Sequence, residues 1–320
     1  MLGEPALTHD NICDAVKCLW GLQVTALKFV TPGGECSWGY RLETVAGARL
    51  FLKLSQPRVC GTVPCEQNLV AADELARALD HQRIVAARRS RRGRFLETVD
   101  AYQARLQPWV EGVAFMDLPG GPDAAQQHQL GELIAAIHSF TPTQRPLDED
   151  HSAMELRDWP ALQDALAAPP MDWSPTQRAV ADLVREAGPY MARWIGDYHA
   201  LEWRVRAAGH PCVFCHGDPS SGNVLVRPDG ILVLVDLDAP AWAPRERDLF
   251  HLHLWPAALE AYQRRYPAFK ADCDLLRLYQ VAWDIGEVVD YGWRTLMTRQ
   301  SEAQYRHDLQ GLRKHLDEAT

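Results

Sequence analysis

Two hydrophobic periods alternate along the first third of the chain, and their order predicts its elements. Ile12, Val16, Leu19 and Trp20 recur at three- and four-residue steps, with Thr8 or Asp10 before them and Gly21 after, which predicts a helix from Thr8 to Gly21. Val24–Val30 and Arg41–Val45 predict strands, joined by the Gly-rich stretch Thr31–Tyr40. Leu50–Leu54 predicts another strand, apolar apart from Lys53. Leu69, Ala72, Leu75, Ala76 and Leu79 place one apolar face on a helix over Cys65–Leu79. Arg83, Arg88, Arg89, Arg91, Arg92 and Arg94 surround Ser90–Gly93, which predicts a solvated turn, and Tyr102–Leu106 predicts the last strand of this part.

Beyond residue 110 the period is mostly helical. Asp123–Phe140 carries Leu130, Leu133, Ile134 and Ile137 on one face, with His138 expected to pack beside them. Thr141–Asp150 is polar and Pro-containing and predicts a loop, followed by helices over Met154–Leu166 and Thr176–Ala208. An apolar run ends at Cys215, and a short strand is predicted over Ile231–Val235. Arg245–Trp255 after Pro244, and Leu275–Trp293, predict further helices.

Composition narrows the classes. The chain has 320 residues, is 47% apolar and carries a formal net charge of −9. That is enough apolar mass for one large or two modest cored domains. The acidic balance argues against a nucleic-acid partner and suits a cationic small molecule. No run approaches the roughly 18 apolar residues of a membrane span, and Met1–Pro5 has no secretory character, so a cytoplasmic protein is expected. The eight cysteines are scattered. Cys212 and Cys215 would lie on opposite faces of a strand, so free thiols are expected rather than a metal or redox pair.

The chemistry concentrates in His216-Gly217-Asp218-Pro219-Ser220-Ser221-Gly222-Asn223 and in the Asp236 that ends the following strand. Phosphoryl transfer needs an oriented hydroxyl and cations on the phosphate oxygens, and little covalent chemistry. Asp218 is placed to accept a hydroxyl proton. Asn223 and Asp236 offer the oxygen ligands that magnesium takes. Their order matches a kinase catalytic loop followed by a metal-binding Asp, and ATP and magnesium are the cofactors it implies.

These residues resemble the aminoglycoside phosphotransferase and choline kinase group. The run Asp236-Leu237-Asp238-Ala239-Pro240 followed by Ala243-Pro244-Arg245-Glu246-Arg247-Asp248-Leu249 is similar to the spectinomycin 9-phosphotransferase branch. The resemblance implies an α+β, two-lobed protein-kinase-like fold: a small antiparallel-sheet lobe over residues 1–107 and a mainly helical lobe over residues 108–320. It implies that Gly33 and Gly34 cover ATP phosphates. The full Gly-rich spacing is absent, so the loop would grip the phosphates loosely or with side chains such as Ser37. Lys53 would reach the phosphates, held by an acid on the next helix, Glu66 being favoured over Glu74. Pro108, Trp109 and Val110 would form the hinge against adenine. Asp248 would brace the catalytic loop, and Asp238 would stand behind the magnesium ligands or the substrate, or else end a strand in water.

Asp284, Glu287 and Asp290 recur every third residue beside Trp283 and Tyr291, a face that suits a substrate bearing amino groups, or else an ordinary acidic helix surface. The expected activity is phosphorylation of an aminoglycoside or aminocyclitol such as spectinomycin. The alternatives are a metabolite kinase acting on choline, a sugar or an amino alcohol, and a non-catalytic nucleotide-binding module.

Overall fold

A computed structural model describes residues 3–30, 37–55, 65–79, 82–149, 156, 158–238 and 240–319. The Gly33–Gly34 turn lies outside them.

Helix α1 (His9–Trp20) starts behind Thr8, whose side chain accepts from the Asn11 N–H, and ends at Gly21, which adopts a left-handed φ of 71°. An antiparallel sheet follows in the order β1-β2-β3-β5-β4, built from β1 (Val24–Val30), β2 (Ser37–Thr44), β3 (Arg49–Ser55), β4 (Glu97–Val99) and β5 (Tyr102–Pro108). Alternation sorts β3 into two faces. Leu50, Leu52 and Leu54 bury against Ile12, Val16 and Leu19 of α1, which turns Phe51, Lys53 and Ser55 to the other face. In β5, Ala104 and Leu106 join the α1 core, so Arg105 shares the face of Lys53, its direct register partner. Helix α2 (Glu66–Leu79) connects β3 to β4, and its Ala72, Leu75 and Ala76 bury against the rest of the molecule.

After Pro108 the chain crosses to a short strand, β6 (Val113–Ala114), which pairs with β8 (Val224–Val226), itself paired with β9 (Leu232–Leu234). A second ribbon joins β7 (Cys212–Cys215) to β10 (Ala241–Pro244). The remainder is helical: α3 (Ala124–Ser139), α4 (Trp159–Ala167), α5 (Pro175–Glu186), α6 (Gly188–Ala208), α7 (Glu246–Leu249), α8 (Pro256–Arg265), α9 (Cys273–Leu296) and α10 (Glu302–Ala319). The fold is the expected two-part α+β architecture. Among the described residues no helix is long and apolar enough to cross a membrane.

Three boundaries differ from the sequence reading. The helix expected over Thr176–Ala208 is two helices, because Gly188-Pro189 opens a new one and Pro189 provides no N–H to continue the old. Arg245–Trp255 is one α-turn followed by a 3-10 stretch over Phe250–Leu254, since Trp255 precedes Pro256 and is pushed out of the helical region. Trp159 starts α4, with Pro160 in its first turn.

Helix α3 crosses α8 at Gly131, where a Cβ would sit closer than 3.0 Å to the Ala258 carbonyl. That approach presses Leu130, Leu133, Ile134 and Ile137 onto Phe214, Leu232 and Leu234, the strands beneath the catalytic loop.

Candidate active site

The loop after β7 is fixed from below by Asp248, a fully buried carboxylate delivered by α7. Its Oδ2 accepts from the His216 N–H at 2.8 Å and its Oδ1 from the Gly217 N–H at 2.9 Å. A chain of hydrogen bonds supports it from behind. Arg245 donates to the Tyr262 hydroxyl at 2.8 Å, so that hydroxyl is free to donate to His138 Nδ1, also at 2.8 Å. His138 Nε2 then carries the hydrogen shared with Asp248 at 3.1 Å. Burial alone would raise the Asp248 carboxyl, but the hydrogen bonds from His138 and the loop amides outweigh it and hold the group near 2, below its usual range.

His138, Cys215 and Asp248 converge closely enough to suggest a metal cluster, but their chemistry is already satisfied. Asp248 serves three N–H donors. The Cys215 thiol donates to the carbonyls of Ala243 at 3.6 Å and Pro244 at 3.4 Å, and burial keeps it protonated. All six cysteines among the described residues are free thiols.

Gly217 has a φ of 94° and lets the loop turn over Asp248. His216 accepts the Asp218 N–H on Nδ1 at 3.3 Å and donates from Nε2 to the Val235 carbonyl at 3.2 Å. Burial lowers its pKa, consistent with that neutral tautomer. The Asp218 side chain remains 43% exposed. Its Oδ1 accepts the Ser220 N–H at 3.3 Å, and its Oδ2 accepts from Asn223 Nδ2 at 2.8 Å. The Asn223 carboxamide oxygen therefore points away from Asp218. The Val235 N–H donates to the Asn223 backbone carbonyl at 3.0 Å, which sets Asn223 beside Asp236. Asp236 adopts a φ of 62°, unusual for a residue with a Cβ and costing roughly 1–3 kcal/mol. A carboxylate and a carboxamide oxygen on adjoining strand ends are ligands of the type magnesium accepts.

Lys53, 13% exposed, meets Asp236 at 2.5 and 2.7 Å and Asp238 at 2.7 Å. Arg105 Nη2 meets the same Asp238 oxygen at 2.6 Å. Burial and the neighbouring carboxylate push Asp236 upward. Against the opposing effect of burial, Arg105 and Lys53 hold Asp238 down. Burial would also lower Lys53, but the two carboxylates raise it, so the lysine remains charged.

Several expectations need correction. Glu66 does not hold Lys53: its carboxylate accepts the Phe95 N–H at 2.9 Å and the Leu96 N–H at 3.1 Å. Those are backbone donors that burial obliges to find a partner. Glu74 accepts the Thr143 N–H at 2.7 Å and is not on Lys53 either. Asp238 is neither a strand end in water nor open to substrate, because Lys53 and Arg105 enclose it. Asp284 is buried toward α10, bonded by Gln280 at 3.0 Å and 3.7 Å from His315. Residues three apart on a helix rotate by about 60° per step, so Asp284, Glu287 and Asp290 do not share one open face. Glu287 and Asp290 are half-buried and already have partners.

At the expected hinge, Pro108 has no N–H and the Trp109 N–H is taken by the Arg49 carbonyl at 3.1 Å. Trp109 packs on Phe51 and under Arg41, and Val110 follows half-buried. Ser37 is buried at the start of β2, in register with Ser55.

Two residues were missed. Arg105 is the one charge inside its strand, the same signal that singled out Lys53. His251 lies 3.7 Å from Asp218 and is held below its usual pKa, to about 4, by burial. Trp283, 37% exposed, sets its ring edge-on to His251 at 5.3 Å and so borders the site. One period of helix from Asp248 reaches His251, but nothing in the local pattern marks it.

The model of the phosphotransferase enzyme family matches residues 32–279. Protein StrN of Streptomyces griseus is 27% identical over 231 residues, 66% of this chain and 64% of that protein, so the match spans less than two thirds of that relative. A spectinomycin phosphotransferase solved with ADP and spectinomycin superposes with a TM-score of 0.75 at 15% identity, over 97% of this chain and 95% of that one. Choline kinase from Streptococcus pneumoniae superposes with a TM-score of 0.55 at 14% identity, over 95% and 98%. At such identities the structural likeness is one of fold. With the family pattern running through both parts of the molecule, the chain belongs to the phosphotransferase enzyme family.

Proposed function

We propose that the chain transfers the γ-phosphoryl group of ATP to a hydroxyl of a small cationic molecule, with an aminocyclitol such as spectinomycin the first candidate. The observation that carries the reading is the half-exposed Asp218 with Asn223 on its Oδ2 and Asp236 on the adjoining strand end. A boundary at 107/108 would put the nucleotide between the sheet and the helical part. Lys53 orients its phosphates, Ser37 flanks them, and Pro108, Trp109 and Val110 border the base. Asn223 and Asp236 would hold magnesium, which supplies neutralisation of phosphate charge when bound.

Asp218 accepts the substrate hydroxyl proton as the oxygen attacks, and Asn223 keeps its carboxylate turned to the acceptor. Buried and neutral His251 adds no competing charge beside it. On the acceptor side, Trp283 offers a ring face. The net −9 of the chain suits a substrate bearing amino groups. The spectinomycin-bound structure supports the same substrate class through a shared fold.

The test is phosphate transfer from ATP over a panel of aminocyclitols, aminoglycosides, choline, sugars and amino alcohols, followed by mass spectrometry. An added phosphate on an aminocyclitol is expected. Transfer to choline or a sugar alone would move the protein to the metabolite kinases, and nucleotide binding without transfer to any compound would make it a binding module.

A further inference from the structure

We propose that Asp238, anchored by Arg105, is the counter-ion that positions Lys53, the task the sequence reading gave to Glu66. The inference rests on the proposed nucleotide site and assigns its positioning residues.

Three observations carry it. First, Glu66 is occupied elsewhere, capping the Phe95 and Leu96 amides at 2.9 and 3.1 Å. Second, Lys53 and Arg105 are direct register partners on β3 and β5 and both close on one oxygen, Asp238 Oδ2, at 2.7 and 2.6 Å. Two neighbouring strands thus hold the carboxylate through two cations. Third, Arg105 is nearly fully buried, and its Nε and Nη1 have no hydrogen-bond partner. Leaving two buried donors unmet is costly. Beyond a 3.3 Å bond to Ser55 Oγ, what Arg105 offers in return is its grip on Asp238.

The arrangement divides labour between two carboxylates. Asp236 is the more exposed, at 33% against 15% for Asp238, and lies beside Asn223. It is the one available to a divalent cation. Asp238 then keeps the lysine aimed at the phosphates whether or not Asp236 is engaged. Asp238 and Arg105 are accordingly positioning residues, acting through Lys53.

The experiment is ADP binding by calorimetry on the full chain, in excess EDTA and again with magnesium, for wild type, Glu66→Gln, Asp238→Asn, Arg105→Gln, Lys53→Met and the Lys53→Met/Asp238→Asn double variant. The double variant removes the charge that Asp238→Asn alone would strand, so it guards against misfolding. Asp238→Asn and Arg105→Gln are expected to weaken ADP binding roughly tenfold, on the scale of a charge-assisted contact, in EDTA as well as in magnesium. Glu66→Gln is expected to stay within about twofold while lowering Tm through its lost amide contacts. In the Lys53→Met background, Asp238→Asn should add less than about twofold. A Glu66→Gln loss as large as that of Asp238→Asn overturns the inference. So does an Asp238→Asn loss that persists without Lys53 or that occurs only with magnesium. Wild-type protein that binds no ADP under any condition removes the underlying nucleotide-site reading itself.

Discussion

Replacing Asp248 by Asn tests how the catalytic loop is held. The carboxylate is fully buried and accepts from three donors: the His216 N–H, the Gly217 N–H and His138 Nε2. A carboxamide keeps the shape but offers one oxygen. If that oxygen stays with His216 and His138, the new amide faces the Gly217 N–H, donor against donor. One stranded buried donor costs about 1–3 kcal/mol. The lost charge contributes separately. The carboxyl sits near 2 when folded against 3.8 in the reference state, which corresponds to about 2 kcal/mol at neutral pH. Together they give a loss of about 3–5 kcal/mol, in line with breaking a buried charge network.

The sign follows from the depressed acid: its stabilisation is present above pH 4 and fades as pH falls toward 2. Urea unfolding of wild type and variant at pH 7 and at pH 3 reads this directly. A large difference at pH 7 that narrows by about 1 kcal/mol at pH 3 is expected, with kcat falling more than the KM for ATP. A variant within 1 kcal/mol of wild type, or a difference indifferent to pH, would refute the bracing role.

Gly131→Ala is expected to cost roughly 3 kcal/mol in urea unfolding, at the upper end of core overpacking, because the new Cβ meets the rigid Ala258 carbonyl; a loss under 1 kcal/mol would show that α3 and α8 separate freely. His251 titrates near 4 when folded against 6.5 unfolded, so its contribution is intact above pH 6.5 and falls by about 3 kcal/mol on acidification to pH 4. His251→Gln should flatten that part of the stability profile, measured by denaturant titrations, and an unchanged slope would contradict the burial argument. Trp283→Ala is expected to raise the KM for the alcohol acceptor severalfold, from the ~1 kcal/mol scale of a stacking ring, with the KM for ATP unmoved. Equal rises in both would place Trp283 outside the acceptor pocket.

Elements with strong local signals were legible in the sequence. The caps of α1, the alternation of β3 around Lys53 and the order Asp218, Asn223, Asp236 all reflect physics confined to a few neighbouring residues. The partner of Lys53 was not legible, because it depends on which carboxylate the tertiary fold delivers. Glu66 lies in the expected helix turn, yet the buried Phe95 and Leu96 amides claim it, 29 and 30 residues away. Arg105 was readable in principle, by the reasoning that marked Lys53. His251 was not, since its proximity to Asp218 arises only after α7 gives way to a 3-10 turn before Pro256. The acidic triplet on α9 failed on helix geometry: a three-residue spacing drifts around the axis, and α10, unanticipated, covers Asp284.

The central claim is that Asp218 is the proton acceptor in phosphoryl transfer from ATP to an alcohol. Single-turnover transfer to the best acceptor of the panel, compared between wild type and Asp218→Ala with ADP affinity measured in parallel, tests it most directly. The expected result is a rate lowered by about 10²–10⁴-fold with ADP binding unchanged. Undiminished transfer by folded Asp218→Ala protein would contradict it.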